Sequence, residues 1–426
     1  MMGKLMRSIL KSTALALLGA TAISAVSYAK EGSVPHGGFG GFDHVFFIIM
    51  ENKTDTDILG NSYAPFINAY AKVANRATNY FAVGHPSAPN YLEIVGGSNF
   101  GLTNDYWPNW PNGGCVDHAP GSTGCVNAFT PIAVAGADNP VVATATSSSQ
   151  CNGEIAISGT PAPNNCALYN YPAAYFTPKS IAHQLVQRGM SWKSYQEGLP
   201  SVSPGVYGLN YSDGAYSNLS PAAAFAPGAI QKLYAVKHNP FVYFLDIETG
   251  ANPALSLSQV ANFDSDNGLW ADLQHPERVP NFSFIVPDQC NDMHGGVSGG
   301  TPICSAPTNT VGATATQQEE FSLLLQQGDA EVAKVITGIK NSPVWQMGRN
   351  AIILTWDEND YTNAANRVVF LAETNYAPNG YVSNTPYDHY SLLLTLEAGF
   401  GLPCLNHACD KTSLVMDDLF GFRQRH

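Results

Sequence analysis

A serine flanked by two prolines is the first candidate for chemistry in this sequence. Segment Gly84 to Tyr91 reads GHPSAPNY, and Ser87 lies between the two prolines. Proline fixes its own backbone and restricts the residue before it, so Ser87 is predicted to lie in a rigid, non-helical turn. Leu92 to Val95 then start a segment that is apolar apart from Glu93, and it is compatible with a helix whose N-terminus would stabilise a phosphate beside Ser87. An ordinary capped turn explains this segment equally well on its own.

Two pairs of oxygen-bearing side chains follow apolar runs elsewhere in the chain. Glu51 and Asn52 come directly after VFFIIM, and Asp357 and Glu358 come directly after AIILTW. Carboxylates at the end of a buried strand are costly unless a cation or hydrogen bonds compensate them. Either pair alone is more simply explained by solvated loop residues. Together with Ser87 they predict one divalent cation, with Ca²⁺, Mg²⁺ or Mn²⁺ favoured over Zn²⁺ because every ligand offers oxygen.

Three histidines lie beside acids or amides near predicted element ends. They occur in the segments KHNP, DMHG and YDHYS, at positions His238, His294 and His389. A lone histidine is more often structural than catalytic. Phosphoryl transfer, however, needs positive charge on the phosphate oxygens and a proton donor for the leaving group. A cation together with histidines would supply both.

Four continuous apolar runs are predicted to be strands buried on both faces, and each ends at acid or amide side chains. The helical stretches Ser180 to Arg188, with Ser180 as N-cap and Gly189 as stop, and Ala330 to Lys340, preceded by Asp329, lie between them. Such alternation predicts an α/β fold with a mostly parallel sheet, whose ligands gather at the carboxyl ends of the strands. The four runs are Val45 to Met50, Phe241 to Leu245, Phe282 to Val286 and Ala351 to Trp356.

The first 29 residues have the three-part pattern of a secretory signal peptide. Lys4, Arg7 and Lys11 precede an apolar stretch over residues 12–26, and a small-x-small cleavage signal ends at Ala29. A membrane anchor is the alternative, but the apolar stretch falls short of the ~20 residues that a spanning helix needs. We therefore expect a secreted or periplasmic protein in which residues 30–426 form a single domain.

The amino-acid composition argues against two classes of binding partner, nucleic acids and membranes. A net charge of −13 argues against nucleic acid, and no later stretch is apolar enough for stable membrane insertion.

The eight cysteines indicate disulfides in an oxidising compartment, with sequence neighbours as the expected pairs, although 105 pairings are possible. Residues from about 103 to 170 are rich in Asn, Pro, Gly, Ser and Cys and are predicted to form a disulfide-stapled insertion. The cysteines are Cys115, Cys125, Cys151, Cys166, Cys290, Cys304, Cys404 and Cys409.

Seven segments resemble those of a known family. They occur in the same order as in the family and span most of the chain outside the insertion. The family is the phosphoesterase family of acid phosphatase A and the bacterial phospholipases C, within the alkaline phosphatase superfamily. The resemblance implies an alkaline-phosphatase-like three-layer sandwich with a mostly parallel central sheet. The segments are FFIIMENK, GHPSAPNYLEIVGG, SWKSYQEGLP, KHNPFVYF, PNFSFIVPDQCNDMHG, ILTWDEND and YDHYSLLLTLEAGFGLP.

The resemblance also implies roles for the oxygen-bearing residues. Glu51 and Asn52 match the family's first pair of metal ligands, and Ser87 matches a nucleophile that also touches the metal. Asp357 and Glu358 match the second pair. Acid phosphatase A has two aspartates there, so Glu358 is a departure toward the phospholipase-like pattern.

Further roles follow from the same resemblance. Ser87-x-Pro-Asn90 is similar to the Thr-x-Pro-Asn of nucleotide pyrophosphatases, in which the asparagine holds a phosphate oxygen. Asn90 is therefore expected to bind substrate. His238 and His294 match histidines that bind phosphate or protonate the leaving group. The remaining candidates are His389, a family histidine assigned here to substrate binding, His85, which would shape the turn, and the secondary candidates Asp288 and Asp292.

The expected function is a secreted, metal-dependent acid phosphatase that hydrolyses small phosphomonoesters through a phosphoserine. The alternative is a phospholipase C acting on phospholipid headgroup phosphodiesters. Phospholipases of this family usually carry C-terminal β-domains and a twin-arginine signal, neither of which we find, so a compact phosphatase is favoured. A catalytically inactive binding protein of the same fold is a third possibility, which loss of Ser87 or of either acidic pair would have favoured.

Overall fold

The structure is a computed structural model that describes residues 41–100, 179–199, 201–203, 206–207, 233–244, 246–247, 250–295, 297–298, 301–302, 315–362 and 364–421. The predicted signal peptide and the predicted insertion lie outside these ranges. So do Cys115, Cys125, Cys151, Cys166 and Cys304. Within the described part of the chain, Cys404 is bonded to Cys409, as expected for sequence neighbours, and Cys290 is also disulfide-bonded.

A central sheet of eight strands organises the fold, in the order β13-β2-β12-β11-β1-β8-β4-β7. Only β12 runs antiparallel to its two neighbours, so the sheet is mostly parallel, as predicted. These strands are β1 His44–Met50, β2 Asn75–Ala77, β4 Trp192–Gln196, β7 Val260–Ala261, β8 Phe282–Val286, β11 Asn350–Trp356, β12 Phe370–Thr374 and β13 Val382–Ser383. The short strands β3 Tyr80–Phe81, β5 Ser201–Ser203, β6 Val206–Tyr207, β9 Val297–Ser298, β10 Thr301–Pro302 and β14 Tyr387–Asp388 form two-stranded pairs.

Helices surround the sheet. Among them α2 packs on α6, and α3 packs on α4 and α7. The helices are α1 Asp55–Ile58, α2 Pro65–Tyr70, α3 Ser87–Gly96, α4 Ile181–Gln187, α5 Leu269–Leu273, α6 Ala315–Asn341, α7 His389–Phe400 and α8 Asp417–Phe420. Short 3-10 helices cover Val236–His238, Pro240–Tyr243, Leu257–Gln259, Pro276–Arg278, Pro343–Gln346 and Asn406–Cys409. Among the described residues, no helix has the length and apolar character of a membrane span.

Three of the four predicted strands are confirmed at the centre of the sheet. β8 and β11 are buried at every residue, and β1 at all but its first. Layers on both faces of the sheet must therefore cover these strands. In the parallel pairing of β1 with β11, Met50 lies opposite Trp356. The residues that follow these two strands consequently emerge side by side.

Two predictions of secondary structure are corrected. The run from Phe241 to Leu245 was expected to be a strand, but Pro240–Tyr243 is a buried 3-10 helix that begins at its proline. A short apolar run does not distinguish strand from buried helix, and proline suits the first position of a helical turn. The helix expected at Ala330 to Lys340 is instead the 27-residue α6, so Asp329 lies inside it.

Asp329 accepts hydrogen bonds from the neighbouring helix α2. Its two carboxylate oxygens accept hydrogen bonds from the backbone amides of Phe66 and Ile67, at 3.0 and 2.8 Å. These amides belong to the first turn of α2, whose own N-cap, Ala64, has no side-chain acceptor. Amides in the first turn of a helix lack partners within the helix, so Asp329 caps α2 from the neighbouring helix.

We predict that Asp329→Ala lowers the free energy of unfolding by about 1–2 kcal/mol, because two backbone amides in the first turn of α2 lose their acceptor. Asp329→Asn keeps one oxygen acceptor and should lose less. Urea denaturation followed by tryptophan fluorescence measures the difference. Glu319→Ala, at an exposed position on the same helix, is the matched control. A loss for Asp329→Ala no larger than that of the control would contradict the capping role.

Candidate active site

The carboxyl ends of β1 and β11 bring the two predicted ligand pairs together. The Asp357 amide donates to the Met50 carbonyl at 3.0 Å, which extends the parallel pairing by one residue. The Asn52 amide then donates to Asp357 Oδ1 at 3.2 Å. Asn52 has a left-handed backbone, with φ of 50°, which turns the chain sharply after the strand.

Ser87 joins these pairs from the start of α3. Pro86 is the N-cap of the helix, so Ser87 is its first residue and lies within it rather than before it. Its Oγ lies 3.1 Å from Glu51 Oε2 and 3.3 Å from Glu358 Oε1. The side chain is buried. The structure therefore places the predicted nucleophile between one carboxylate of each pair.

Three carboxylates buried this closely perturb one another. Burial raises the pKa of Asp357 well above its usual value, and the charges of Glu51 and Glu358 raise it further. Burial is the largest single influence and acts to raise the pKa of Glu51, but the charge and hydrogen bond of His238 together with the charge of Lys237 more than offset it. The pKa of Glu51 is consequently held well below its usual range.

Buried oxygen atoms mark the place where a cation fits. Glu51 Oε1 forms an ion pair with His238 Nε2 at 3.0 Å, whereas Asn52 Oδ1 and Asp357 Oδ2 are buried and accept no hydrogen bond from the described residues. Such atoms are costly in a folded protein unless something positive compensates them. Because all three are hard oxygen donors beside further carboxylates, the residues present fit the predicted divalent cation.

His238 lies between two carboxylates. Its Nε2 is 3.0 Å from Glu51 Oε1 and its Nδ1 is 3.3 Å from Asp292 Oδ2, both ion-pair distances. The ring also stacks on Tyr91, with centroids 5.2 Å apart and planes 6° from parallel. Burial acts to lower the pKa of His238, but Glu51 and Asp292 more than compensate and raise it to about 9.

His294 lies beside His238, with ring centroids 5.7 Å apart. The pKa of His294 nevertheless shifts in the opposite direction to that of His238. Its Nδ1 lies 2.7 Å from the Gly295 carbonyl and so carries the ring proton, and its Nε2 lies 3.5 Å from Lys237 Nζ. Burial and the neighbouring charge of Lys237 lower the pKa of His294 to about 3. His294 is therefore a neutral hydrogen-bond acceptor that faces a lysine.

A second arrangement of side chains has ligand atoms close enough for a metal. Glu51, His238 and His294 present atoms that all lie within 4.8 Å of one another. Lys237 Nζ beside His294 Nε2 places a positive charge where this ion would bind. The oxygen-rich set at the strand ends is therefore the better fit for a cation.

Asn90 and His85 both contact Glu358 Oε2. Asn90 Nδ2 donates to this oxygen at 3.2 Å, and His85 Nδ1 lies 2.7 Å from it. Asn90 Oδ1 also accepts the amides of Val83 and Gly84, which stabilises the turn before Ser87. Asn90 thus holds the turn, and its predicted contact with a phosphate oxygen stays a prediction.

His389, predicted to bind substrate, is fully buried behind Asp357. Its Nε2 lies 2.6 Å from the Asp357 carbonyl and its Nδ1 lies 2.9 Å from the Tyr80 hydroxyl. Both ring nitrogens are therefore taken, and burial lowers the pKa of His389 to about 4. In this structure His389 supports the ligand strand end, and contact with substrate would require one of these bonds to break.

The two secondary candidates differ in position. Asp292 belongs to the site, because Oδ2 faces His238, Oδ1 accepts the amide of His294 at 2.7 Å, and its carbonyl accepts the amide of Glu51. Asp288 instead shapes the turn before it, accepting the amides of Cys290 and Asn291.

Two buried lysines in the site were not predicted from the sequence. Lys53 Nζ donates to the carbonyls of Asn52 at 2.9 Å and Met293 at 2.6 Å, and so ties the loop after β1 to the loop that carries His294. Lys237 faces His294. The signal for both was their adjacency to a candidate, Asn52 or His238. Lysine is so rarely buried that adjacency alone gave no reason to choose them.

This arrangement defines an α/β protein with a mostly parallel sheet, in which a serine at a helix start lies between carboxylates at the ends of parallel strands. Comparison with known proteins gives the family. The Phosphoesterase family model matches residues 57–309 and 307–403. The chain belongs to this family and is a hydrolase acting on phosphate esters.

Named relatives share about a quarter of the sequence. A phosphatidylinositol-3-phosphatase of Mycobacterium tuberculosis is 23% identical over 96% of this chain and 94% of its own length. A probable acid phosphatase of Kluyveromyces lactis is 24% identical over 84% of this chain and 59% of its own length. A phosphate-repressible acid phosphatase of Penicillium chrysogenum is 24% identical over 85% and 60%. The chain thus spans less than two thirds of these fungal proteins.

Solved structures similar to this one include an alkaline phosphatase superfamily protein from Vibrio parahaemolyticus. It has a TM-score of 0.41 and 10% identity, and the match covers 87% of this chain and 71% of that one. The lipoteichoic acid synthase LtaP of Listeria monocytogenes has a TM-score of 0.42 and 9% identity, with 90% and 77% covered.

Proposed function

We propose that the protein is an exported, metal-dependent acid phosphatase that hydrolyses phosphomonoesters through a phosphoserine at Ser87. The observation that carries the proposal is the position of Ser87 Oγ, within hydrogen-bond reach of both Glu51 and Glu358 at the start of α3. Fungal relatives named acid phosphatase support the substrate class. Export follows from the signal peptide predicted at residues 1–29.

The first step forms a bond from Ser87 Oγ to phosphorus and breaks the bond from phosphorus to the ester oxygen. The hydroxyl proton passes to Glu358, whose Oε1 contacts Oγ. The start of α3 directs the positive end of the helix dipole toward the phosphate. In the second step water forms a bond to phosphorus and the bond to Ser87 Oγ breaks. One water proton passes to the histidine that protonated the leaving oxygen, and the carboxyl returns its proton to Oγ, which releases inorganic phosphate and restores the serine.

Glu51, Asn52, Ser87, Asp357 and Glu358 would hold the cation, for which Ca²⁺, Mg²⁺ or Mn²⁺ is the best match. When bound, it would favour the serine alkoxide and neutralise charge on the phosphate. The unpaired buried oxygens of Asn52 and Asp357 support this assignment. A cation would also compensate the mutual repulsion of Glu51, Asp357 and Glu358.

His238, rather than His294, is proposed to protonate the leaving oxygen. His294 donates its Nδ1 proton to the Gly295 carbonyl and presents an acceptor toward Lys237, so it has no proton to give at Nε2. His238 Nε2 contacts Oε1 of Glu51, and Ser87 Oγ contacts the other oxygen of the same carboxylate, Oε2, so one carboxylate separates the histidine from the nucleophile. Lys237 and His294 would then contribute charge and shape around the phosphate.

The phospholipase C alternative rests on Glu358, the residue that departs from the two-aspartate pattern. A panel of a chromogenic phosphomonoester, its diester and phosphatidylcholine, each assayed at several pH values, decides between the substrates. Preference for the diester or the lipid would replace the phosphatase proposal. No hydrolysis of any of the three would favour the inactive binding protein.

Ser87→Ala should lower kcat for a chromogenic phosphomonoester by about 10³-fold or more while the protein folds normally, because no covalent intermediate can form. Acid quenching of the wild-type reaction followed by mass spectrometry should locate phosphate on Ser87. Ser322→Ala, on α6, is the matched control and should keep full activity. Near wild-type turnover by Ser87→Ala would show that water, not Ser87, attacks phosphorus.

Exhaustive chelation should abolish activity, and one equivalent of Ca²⁺, Mg²⁺ or Mn²⁺ should restore it. Asp357→Asn should weaken metal affinity by at least about tenfold, since it removes one negative ligand. Elemental analysis and calorimetric titration measure both effects independently of turnover. Glu319→Gln, an exposed carboxylate on α6, is the control. Full activity with no bound metal would refute the cation site.

His238→Gln should lower kcat/KM for an alkyl phosphate by about 10²-fold but have a much smaller effect on nitrophenyl phosphate, whose leaving group departs without a proton. His294→Gln should affect the two esters alike. His275→Gln, whose ring is 56% exposed, controls for loss of a histidine elsewhere. Equal losses on both esters in His238→Gln would exclude His238 as the proton donor.

A further inference from the structure

An exposed aromatic ring stands beside the nucleophile. Tyr361 comes three residues after Glu358 and is 62% exposed. Its hydroxyl lies 3.5 Å from Glu358 Oε1, the same oxygen that Ser87 Oγ contacts at 3.3 Å. The phenol hydroxyl and the nucleophile are therefore separated by a single carboxylate oxygen. The exposed ring is therefore within reach of a group attached to a phosphate at Ser87.

The ring of Tyr361 has one covered face. It stacks on the His85 ring at a centroid distance of 4.0 Å, with the planes 25° from parallel. His85 Nδ1 in turn lies 2.7 Å from Glu358 Oε2. Glu358 thus fixes both rings, one through each of its oxygens. The pair forms a rigid wall beside Ser87, which we call the aromatic wall, defined by His85 and Tyr361.

The backbone holds Tyr361 in a conformation that a bulky residue rarely adopts. Its φ is 65°, in the left-handed region. The Tyr361 amide donates to Asn359 Oδ1 at 2.9 Å, and the Asn359 amide donates to Asn366 Oδ1 at 2.8 Å. Surrounding hydrogen bonds therefore maintain a strained residue, as occurs where a side chain must be aimed at a functional site.

We propose that the aromatic wall is the leaving-group subsite and that it selects phosphomonoesters whose leaving group carries a flat aromatic ring. A ring attached close to the ester oxygen would stack on Tyr361 while the phosphate lies at Ser87. Offset or edge-to-face contact between two rings adds attraction beyond the burial of their area, and a saturated ring of similar size does not gain it. This inference rests on the phosphomonoesterase activity proposed above.

Benzyl phosphate and cyclohexylmethyl phosphate are the matched substrates. Both have an alkyl leaving oxygen and a six-membered ring of similar size, and they differ in whether the ring is aromatic. Wild type should prefer benzyl phosphate in kcat/KM. Tyr361→Ala should reduce that preference by about fivefold to tenfold, mainly through KM, and Tyr361→Phe, which keeps the ring, should retain most of it.

Tyr381→Ala is the control variant, because Tyr381 is 51% exposed and its backbone amide contacts Asn75, on β2. It should leave the preference unchanged. If Tyr361→Ala slows both substrates equally, or changes neither, the aromatic wall does not select the leaving group and the inference is overturned. Absence of hydrolysis of either ester by the wild type would instead refute the phosphomonoesterase activity on which it rests.

Discussion

The parallel pairing of β1 with β11 is the constraint on which the site depends. It places Met50 opposite Trp356, so the acidic residues after both strands must emerge together. The sheet thereby brings Glu51, Asp357 and Glu358 into one buried cluster, where their charges oppose each other. Such a cluster persists only if positive charge and hydrogen bonds are built around it. Much of the remaining site can be understood as that compensation.

Compensation comes from elements far apart in the chain. His238 reaches Glu51 from a 3-10 helix, and Lys53 ties the loop after β1 to the loop after β8. Ser87 donates into the cluster from α3. The unpaired oxygens that remain are where a divalent ion would complete the balance. The buried carboxylates repel one another when no cation is bound. The same oxygen ligands would therefore favour binding of a hard divalent cation.

The sequence was most informative where a continuous apolar run indicated a buried strand. Apolar runs predicted β1, β8 and β11, and the acids at their ends predicted the site, since strands of a parallel sheet present their carboxyl ends at one edge. The strand predicted from Phe241 was wrong because these apolar residues are buried in a 3-10 helix. A short apolar run has the same sequence pattern in a buried strand and in a buried helical turn. The roles of His238 and His294 could not be separated either. Both are buried histidines near acids, but their pKa values move in opposite directions because one faces carboxylates and the other a lysine.

Glu358 shows why a departure from a family pattern can matter. Its Oε1 contacts Ser87 and Tyr361, and its Oε2 contacts His85 and Asn90. An aspartate is shorter by one methylene, so with the same backbone its oxygens would fall short of part of this set. The longer side chain allows one carboxylate to join the nucleophile, the turn that presents it and the exposed ring beside it. In the proposed function, Glu358 at the end of β11 would therefore couple chemistry at phosphorus to recognition of the leaving group.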